Sequence, residues 1–140
     1  MIFVIFETIR KQTMKTDRQQ TGRRGEDEAC DFLRSRGHFI LARNWRAGHL
    51  ELDIVSVLGS EVHFVEVKSR TEPVTADPIV NVNTLKQKRM VRAASAFLNS
   101  HGRLQLPPDA EVCFDVITII FNNSSQRIEY YPKAFIPIYV

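Results

Sequence analysis

The chain has no apolar run long enough to cross a bilayer. Its one strongly apolar stretch outside the candidate strands is Met1-Ile2-Phe3-Val4-Ile5-Phe6, where a spanning helix needs about 20 such residues. No basic leader or small-residue cleavage site accompanies that stretch. Nothing argues for secretion, and the expectation is a cytoplasmic protein without a membrane partner. Cysteine is scarce: Cys30 and Cys113 share no C-x-x-C spacing, sit in apolar surroundings and read as small core residues of a reducing compartment. The histidines His38, His49, His63 and His101 show no H-x-x-x-H or other zinc spacing, so each reads as structural or exposed. No Gly-x-Ser-x-Gly or Cys/His arrangement supports nucleophilic catalysis, and there is no glycine-rich phosphate loop, internal repeat or low-complexity segment.

What remains is an ordinary globular composition. At 140 residues, 44% hydrophobic and 25% charged, the chain is sized for one domain with one core. We read residues 16–140 as that domain and residues 1–15 as an N-terminal extension. The extension is open to three readings: an extra edge strand, a protein-docking arm, or sequence upstream of a true start at Met14. A net charge of +3 and a pI near 9.1 permit a nucleic-acid partner without requiring one.

The pattern predicts a helix over about Asp17–Arg36, stopped by Gly37. Its stripe of Gly22, Gly25/Glu26, Ala29 and Phe32/Leu33 recurs at helical spacing, and the small residues permit close approach to another element. Glu26 falls on that packing face, where a carboxylate is costly unless its charge is compensated; a satisfied structural Glu at the helix edge is the alternative. A strand follows over His38–Trp45, with a turn at Ala47-Gly48. Thr71–Asn81, with Pro73 and Pro78, reads as a loop long enough to flank a site. A second helix, capped by Asn81 or Asn83, runs to about Asn99 with Met90, Ala93, Ala94 and Phe97 on its apolar side. Lys86, Lys88, Arg89, Arg92 and Arg103 make the stretch from Val82 to Arg103 basic without one acidic residue. That suits a phosphate-contacting surface or a merely solvated helix face. After Pro107-Pro108, Val112–Phe121 reads as a buried strand interrupted by Asp115, and Arg127–Tyr131 as the last strand.

The most informative segment is Glu51–Lys68. Two Val/Ile/Phe-rich runs meet at Gly59-Ser60, where glycine supplies the positive φ of a tight hairpin. Leu58 then faces Glu61, Asp53 faces Glu66 and Glu51 faces Lys68. Strand alternation puts Glu51, Asp53, Glu66 and Lys68 on one face and Leu52, Ile54, Val65 and Val67 on the other. Facing Cα atoms lie about 4.5–5.5 Å apart, so Asp53 and Glu66 repel. A bridging divalent cation turns that cost into a site, because Mg²⁺ prefers hard oxygen ligands. The alternative is a solvated face with a Glu51–Lys68 ion pair.

Glu26, Asp53 and Glu66-Val67-Lys68, on a helix followed by a hairpin, resemble the PD-(D/E)xK nuclease superfamily. Within it the chain resembles the YraN family, itself similar to archaeal Holliday junction resolvases. The resemblance rests on Gly22–Ala29, Arg43-Asn44-Trp45-Arg46, Glu51–Val55, Phe64–Arg70, Lys86–Arg89 and Phe114-Asp115-Val116, spanning roughly residues 21–120. Leu50 departs from it, standing where the family usually carries glycine, and Met1–Thr13 has no counterpart.

The resemblance implies an α/β, restriction-endonuclease-like fold: a mixed β-sheet flanked by helices in the order α-β-β-β-α-β-β. It implies a metal-dependent nuclease that hydrolyses phosphodiester bonds in DNA, on branched or repair intermediates, with Mg²⁺ or Mn²⁺. Asp53, Glu66 and Glu26 are the implied metal ligands, with the Val67 carbonyl a further candidate. Lys68 is the implied catalytic amine, and Glu51 a candidate partner for it. Arg24, Arg70, Lys86, Lys88 and Arg89 are candidate phosphate contacts. The analogy favours a homodimer, since a junction presents two symmetric strands. The competing reading is a nucleic-acid-binding protein that keeps the nuclease fold without turnover.

Overall fold

The structure is a computed structural model. It describes residues 2–72 and 83–137, with side chains from residue 19 onward. The expected loop between the hairpin and the second helix falls largely on residues 73–82, outside the described residues. The helices and strands follow in the order α1 (Ile2–Ser35), β1 (Phe39–Ala47), β2 (Leu50–Leu58), β3 (Glu61–Thr71), α2 (Thr84–Leu98), β4 (Glu111–Phe121) and β5 (Gln126–Tyr131). This is the α-β-β-β-α-β-β order read from the sequence. A short 3₁₀ turn, His101–Gln105, lies between α2 and β4 and is additional to it.

The five strands form one mixed sheet in sequential order. All pairs are antiparallel except β3 with β4, which run parallel. The crossover that makes a parallel pair possible is α2 with its flanking segments. The β2–β3 register is the predicted one, from Leu58↔Glu61 to Ile54↔Val65, and Gly59 takes the positive φ (58°) that the turn demands.

Helix α1 begins at Ile2 rather than near Asp17. The edge-strand reading of the N-terminal residues is therefore corrected. The physical reason is that no Pro or Gly occurs before Gly22, so nothing local breaks a helix through residues 2–21. Thr13, Thr16 and Asp17 resemble caps only in isolation.

Two cores lie on opposite faces of the sheet. On one, α1 contributes Ala29, Cys30 and Leu33, which pack with Ile54, Val65, Ile117, Ile119 and Phe121. On the other, α2 contributes Met90, Ala93, Ala94 and Phe97, which pack with Leu52, Val55, Val62, Phe64 and Phe114. All four predicted apolar residues of α2 are buried, and the Asn83 side chain caps the helix by accepting from the Lys86 N–H at 3.0 Å.

Strand alternation fails within β2. Leu52 and Val55 both belong to the α2 core, while Ile54 belongs to the α1 core. Leu52 therefore does not share a face with Ile54 as expected. The slip falls on Asp53. The β1–β2 ladder skips the Asn44–Asp53 position between Arg43↔Ile54 and Trp45↔Leu52, and Asn44 has φ +50°, a left-handed conformation that asparagine tolerates better than most residues.

Candidate metal centre

Asp53 is turned out of the regular sheet by that slip, beside residues 21–26 of α1. It shares a cleft of about 530 Å³ with Thr21, Gly22 and Glu26 of α1 and with Val67, Ser69 and Arg70 of β3. Where the β2–β3 pairing ends, the Val67 N–H donates to Asp53 Oδ2 at 2.9 Å. The carboxylate thus takes a backbone donor from the neighbouring strand.

Gly25 explains how α1 comes so close. A Cβ there would stand 1.9 Å from Ser69 Oγ and 3.2 Å from Ser69 Cβ, so the helix docks on β3 only with hydrogen at that position. The next residue, Glu26, is thereby carried to the cleft. Its Oε2 accepts from Asn44 Nδ2 at 2.8 Å, so the residue with the left-handed backbone also orients this carboxylate.

Glu66 and Lys68 line an adjoining cleft of about 400 Å³, together with Asn83, Leu85, Lys86 and Arg89. The two clefts share Val67, Ser69 and Arg70. The four predicted residues therefore converge between residues 21–26 of α1 and the second half of β3 without all occupying one face, because Asp53 lies on the α1 side. Glu66 Oε1 pairs with Lys86 Nζ at 2.8 Å. Lys86, expected to grip phosphate, is here the counter-ion of a candidate ligand.

Lys68 is only 8% exposed, and among the described residues it has no ion-pair partner. Glu51, its predicted neighbour, pairs instead with Arg46 at 3.6 Å. Arg24 lies over the Phe121 ring at 4.5 Å. Arg70 lines both clefts and Arg89 the second, whereas Lys88, expected among the phosphate contacts, is exposed on α2 and lines a separate cavity with Val91, Val112 and Phe114.

The electrostatics follow from this packing. Burial, then the Glu66 carboxylate, pushes Asp53 up to about 7, with Glu26 adding to the rise and the Val67 N–H opposing it. Burial holds the Lys68 amine below the usual lysine range, helped by Arg70 and Lys86 and opposed by Glu66. Burial works against the Lys86 ammonium too, but Glu66 overcomes it and holds Lys86 above its ordinary value. Crowded carboxylates that resist ionising together are what a divalent cation relieves, and an all-oxygen donor set suits Mg²⁺ or Mn²⁺. The residues present fit such an ion.

The family described as "Uncharacterised protein family UPF0102" matches residues 25–119. That span contains Glu26, Asp53, Glu66, Lys68, Lys86 and Arg89. The UPF0102 protein of Bacteroides thetaiotaomicron is 40% identical over 121 residues, covering 86% of this chain and 96% of its own length. That of Bacteroides fragilis is 40% identical over 116 residues, covering 83% and 92%. That of Anaeromyxobacter dehalogenans is 39% identical over 118 residues, covering 84% and 85%.

The chain belongs to the UPF0102 family. This is the YraN family that the sequence motifs resemble. The relatives' names assign UPF0102 proteins no reaction, so the chemistry must be argued from the residues. Among the described residues, no helix is long and apolar enough to cross a membrane.

Asn44 and Lys86 are the two contributors whose roles the sequence did not indicate. The first stood inside a quoted motif without a role, and its signal is a polar residue able to take positive φ beside a bulged strand. The second lies one turn before Met90 on the packed side of α2, which points it at the sheet.

Proposed function

We propose that this protein is a divalent-cation-dependent nuclease that hydrolyses DNA phosphodiester bonds by water attack. One observation carries the reading. Asp53, half-buried, stands against Glu66 where the β2–β3 pairing ends, and Lys68, buried and without an ion pair among the described residues, lies two residues beyond Glu66.

Asp53 and Glu66 would hold Mg²⁺ or Mn²⁺, with Glu26 completing the shell or holding its water. When bound, the ion lowers the pKa of a coordinated water and offsets charge on the phosphate. The protein's own residues do the rest. The buried Lys68 amine holds no ion pair among the described residues, so it can orient the attacking water and stabilise the charge that builds on the phosphoryl oxygens. Asn44 fixes the Glu26 carboxylate, and Val67 fixes Asp53. Lys86 pairs with Glu66 and would have to yield to a bound cation. Arg70 and Arg89 line the clefts with positive charge suited to a phosphate backbone, and Lys88 adds to the basic surface of α2.

The test is a cleavage screen over duplex, single-stranded, flap and four-way DNA with Mn²⁺ or Mg²⁺, using the full chain and Asp53→Ala. The reading predicts metal-dependent nicking of at least one substrate, lost in the variant. Binding without nicking under either ion would favour a non-catalytic nucleic-acid-binding protein.

A further inference from the structure

We propose that Glu61, His63 and Cys113 form a second metal site, separate from the carboxylate clefts, which takes a thiolate-binding ion of the Zn²⁺ class. Their ligand atoms all lie within 4.8 Å of one another. Glu61 and His63 are two apart on β3 and share a face, while Cys113 is the Cα partner of His63 across the parallel β3–β4 ladder. No spacing along the chain reveals this set, because the parallel crossover brings residues 63 and 113 together. The site lies four residues before Val67 along β3, roughly 13 Å from the carboxylate clefts.

The histidine is oriented as a ligand. His63 Nδ1 lies 2.5 Å from Asp115 Oδ2, and Asp115 is fully buried. The Asp115 carboxylate also accepts from the Tyr130 hydroxyl at 2.6 Å and from the Lys133 N–H at 2.9 Å. A carboxylate so engaged holds the ring proton on Nδ1, the arrangement that aims the lone pair of metal-binding histidines. Nε2 then faces Glu61 Oε1 at 3.3 Å, and Glu61 Oε2 lies 3.7 Å from Cys113 Sγ. Neutral imidazole and carboxylate are both acceptors across that gap, so a cation belongs between them.

Two cations compete for the position: a proton on Nε2, and Lys133 Nζ, which sits 3.2 Å from Glu61 Oε2. Lys133 can yield, since its side chain is 57% exposed and reaches Glu111 at 3.7 Å. His38 stands edge-on to His63 at 4.8 Å, but its Nδ1 is engaged by Ser56 Oγ at 2.9 Å. Loading displaces the thiol proton of Cys113 and any Nε2 proton of His63 to solvent, while Glu61 exchanges Lys133 for the metal. A thiolate, an imidazole and a carboxylate with water in fourth place suit Zn²⁺, whereas the all-oxygen clefts suit Mg²⁺ or Mn²⁺. Such an ion would clamp the start of β3 to the start of β4.

Co²⁺ titration of the full chain, followed by absorbance, tests this. The expected result is a thiolate-to-cobalt charge-transfer band saturating at one equivalent and bleached by Zn²⁺. Cys113→Ser should abolish it, while Cys30→Ser and Asp53→Asn should leave it intact. Glu61→Gln, which is milder on the core, should weaken Co²⁺ binding by about tenfold or more. No charge-transfer band in the wild-type chain, a band that survives Cys113→Ser, or unchanged affinity in Glu61→Gln overturns the assignment.

Discussion

The backbone N–H of Val67 donates to the Asp53 carboxylate at 2.9 Å. The contact replaces a strand-to-strand bond with a strand-to-carboxylate one and leaves Asp53 half-buried beside Glu66. Asp53 therefore has a folded-state value of about 7 against an ordinary 3.8. A carboxylate raised in this way takes up protons more readily when folded, so stability falls as pH rises between those two values and levels off above them. Asp53→Asn keeps an acceptor for Val67 and removes the charge. It should be more stable than wild type at pH 8, by roughly 1–4 kcal/mol, with the difference vanishing towards pH 4. Paired urea melts across that range check the sign.

The same crowding predicts a metal effect on stability. Mg²⁺ or Mn²⁺ should raise the Tm of the wild-type chain at pH 8 and do so less at pH 5, where Asp53 is protonated. The shift should be absent in Asp53→Asn. A thermal melt with and without the ion at both pH values measures it.

Glycine-to-alanine changes at two nearby helical positions should have opposite effects. Gly22 has nothing within 4 Å of a built Cβ, so Gly22→Ala should stabilise by up to about 1 kcal/mol through helix propensity. Gly25→Ala meets Ser69 Oγ at 1.9 Å. It should destabilise by about 1–3 kcal/mol despite the same propensity gain, and Ser69→Ala in the same chain should restore much of the loss. Melting curves of the three variants decide it.

Lys86 competes with any cation for Glu66. Lys86→Met should raise Mn²⁺ affinity severalfold, measured calorimetrically without DNA, whereas Lys86→Arg should not. Arg70→Ala and Arg89→Ala should instead lower the slope of log K against log salt for DNA binding, each by about 1.

Much of this site was legible because it is local. The Gly59-Ser60 turn and the two apolar runs fixed the β2–β3 register, and Asn83 and the Met90–Phe97 stripe fixed α2. Helical spacing put Glu26 on the packed face of α1. What could not be read depends on geometry between elements. Alternation assumes an unbroken strand, and the slip at Asp53, with Asn44 left-handed opposite it, moved Leu52 to the other core and Asp53 towards α1. The Lys86–Glu66 pair joins α2 to β3, two elements whose relative placement no local pattern gives. The His63–Asp115 contact needs the parallel pairing of β3 with β4, and no periodicity announces which strands become neighbours.

The central claim is that acidic groups and one buried amine form a hydrolytic centre rather than a binding patch. Single-turnover cleavage of a nicked substrate with Mn²⁺, run beside metal-free binding of the same DNA, tests it in the Lys68→Ala variant. The account predicts a fall of about 10²–10³-fold in the cleavage rate with Kd nearly unchanged. Equal cleavage by the variant, or a loss of binding that accounts for the whole effect, would contradict it.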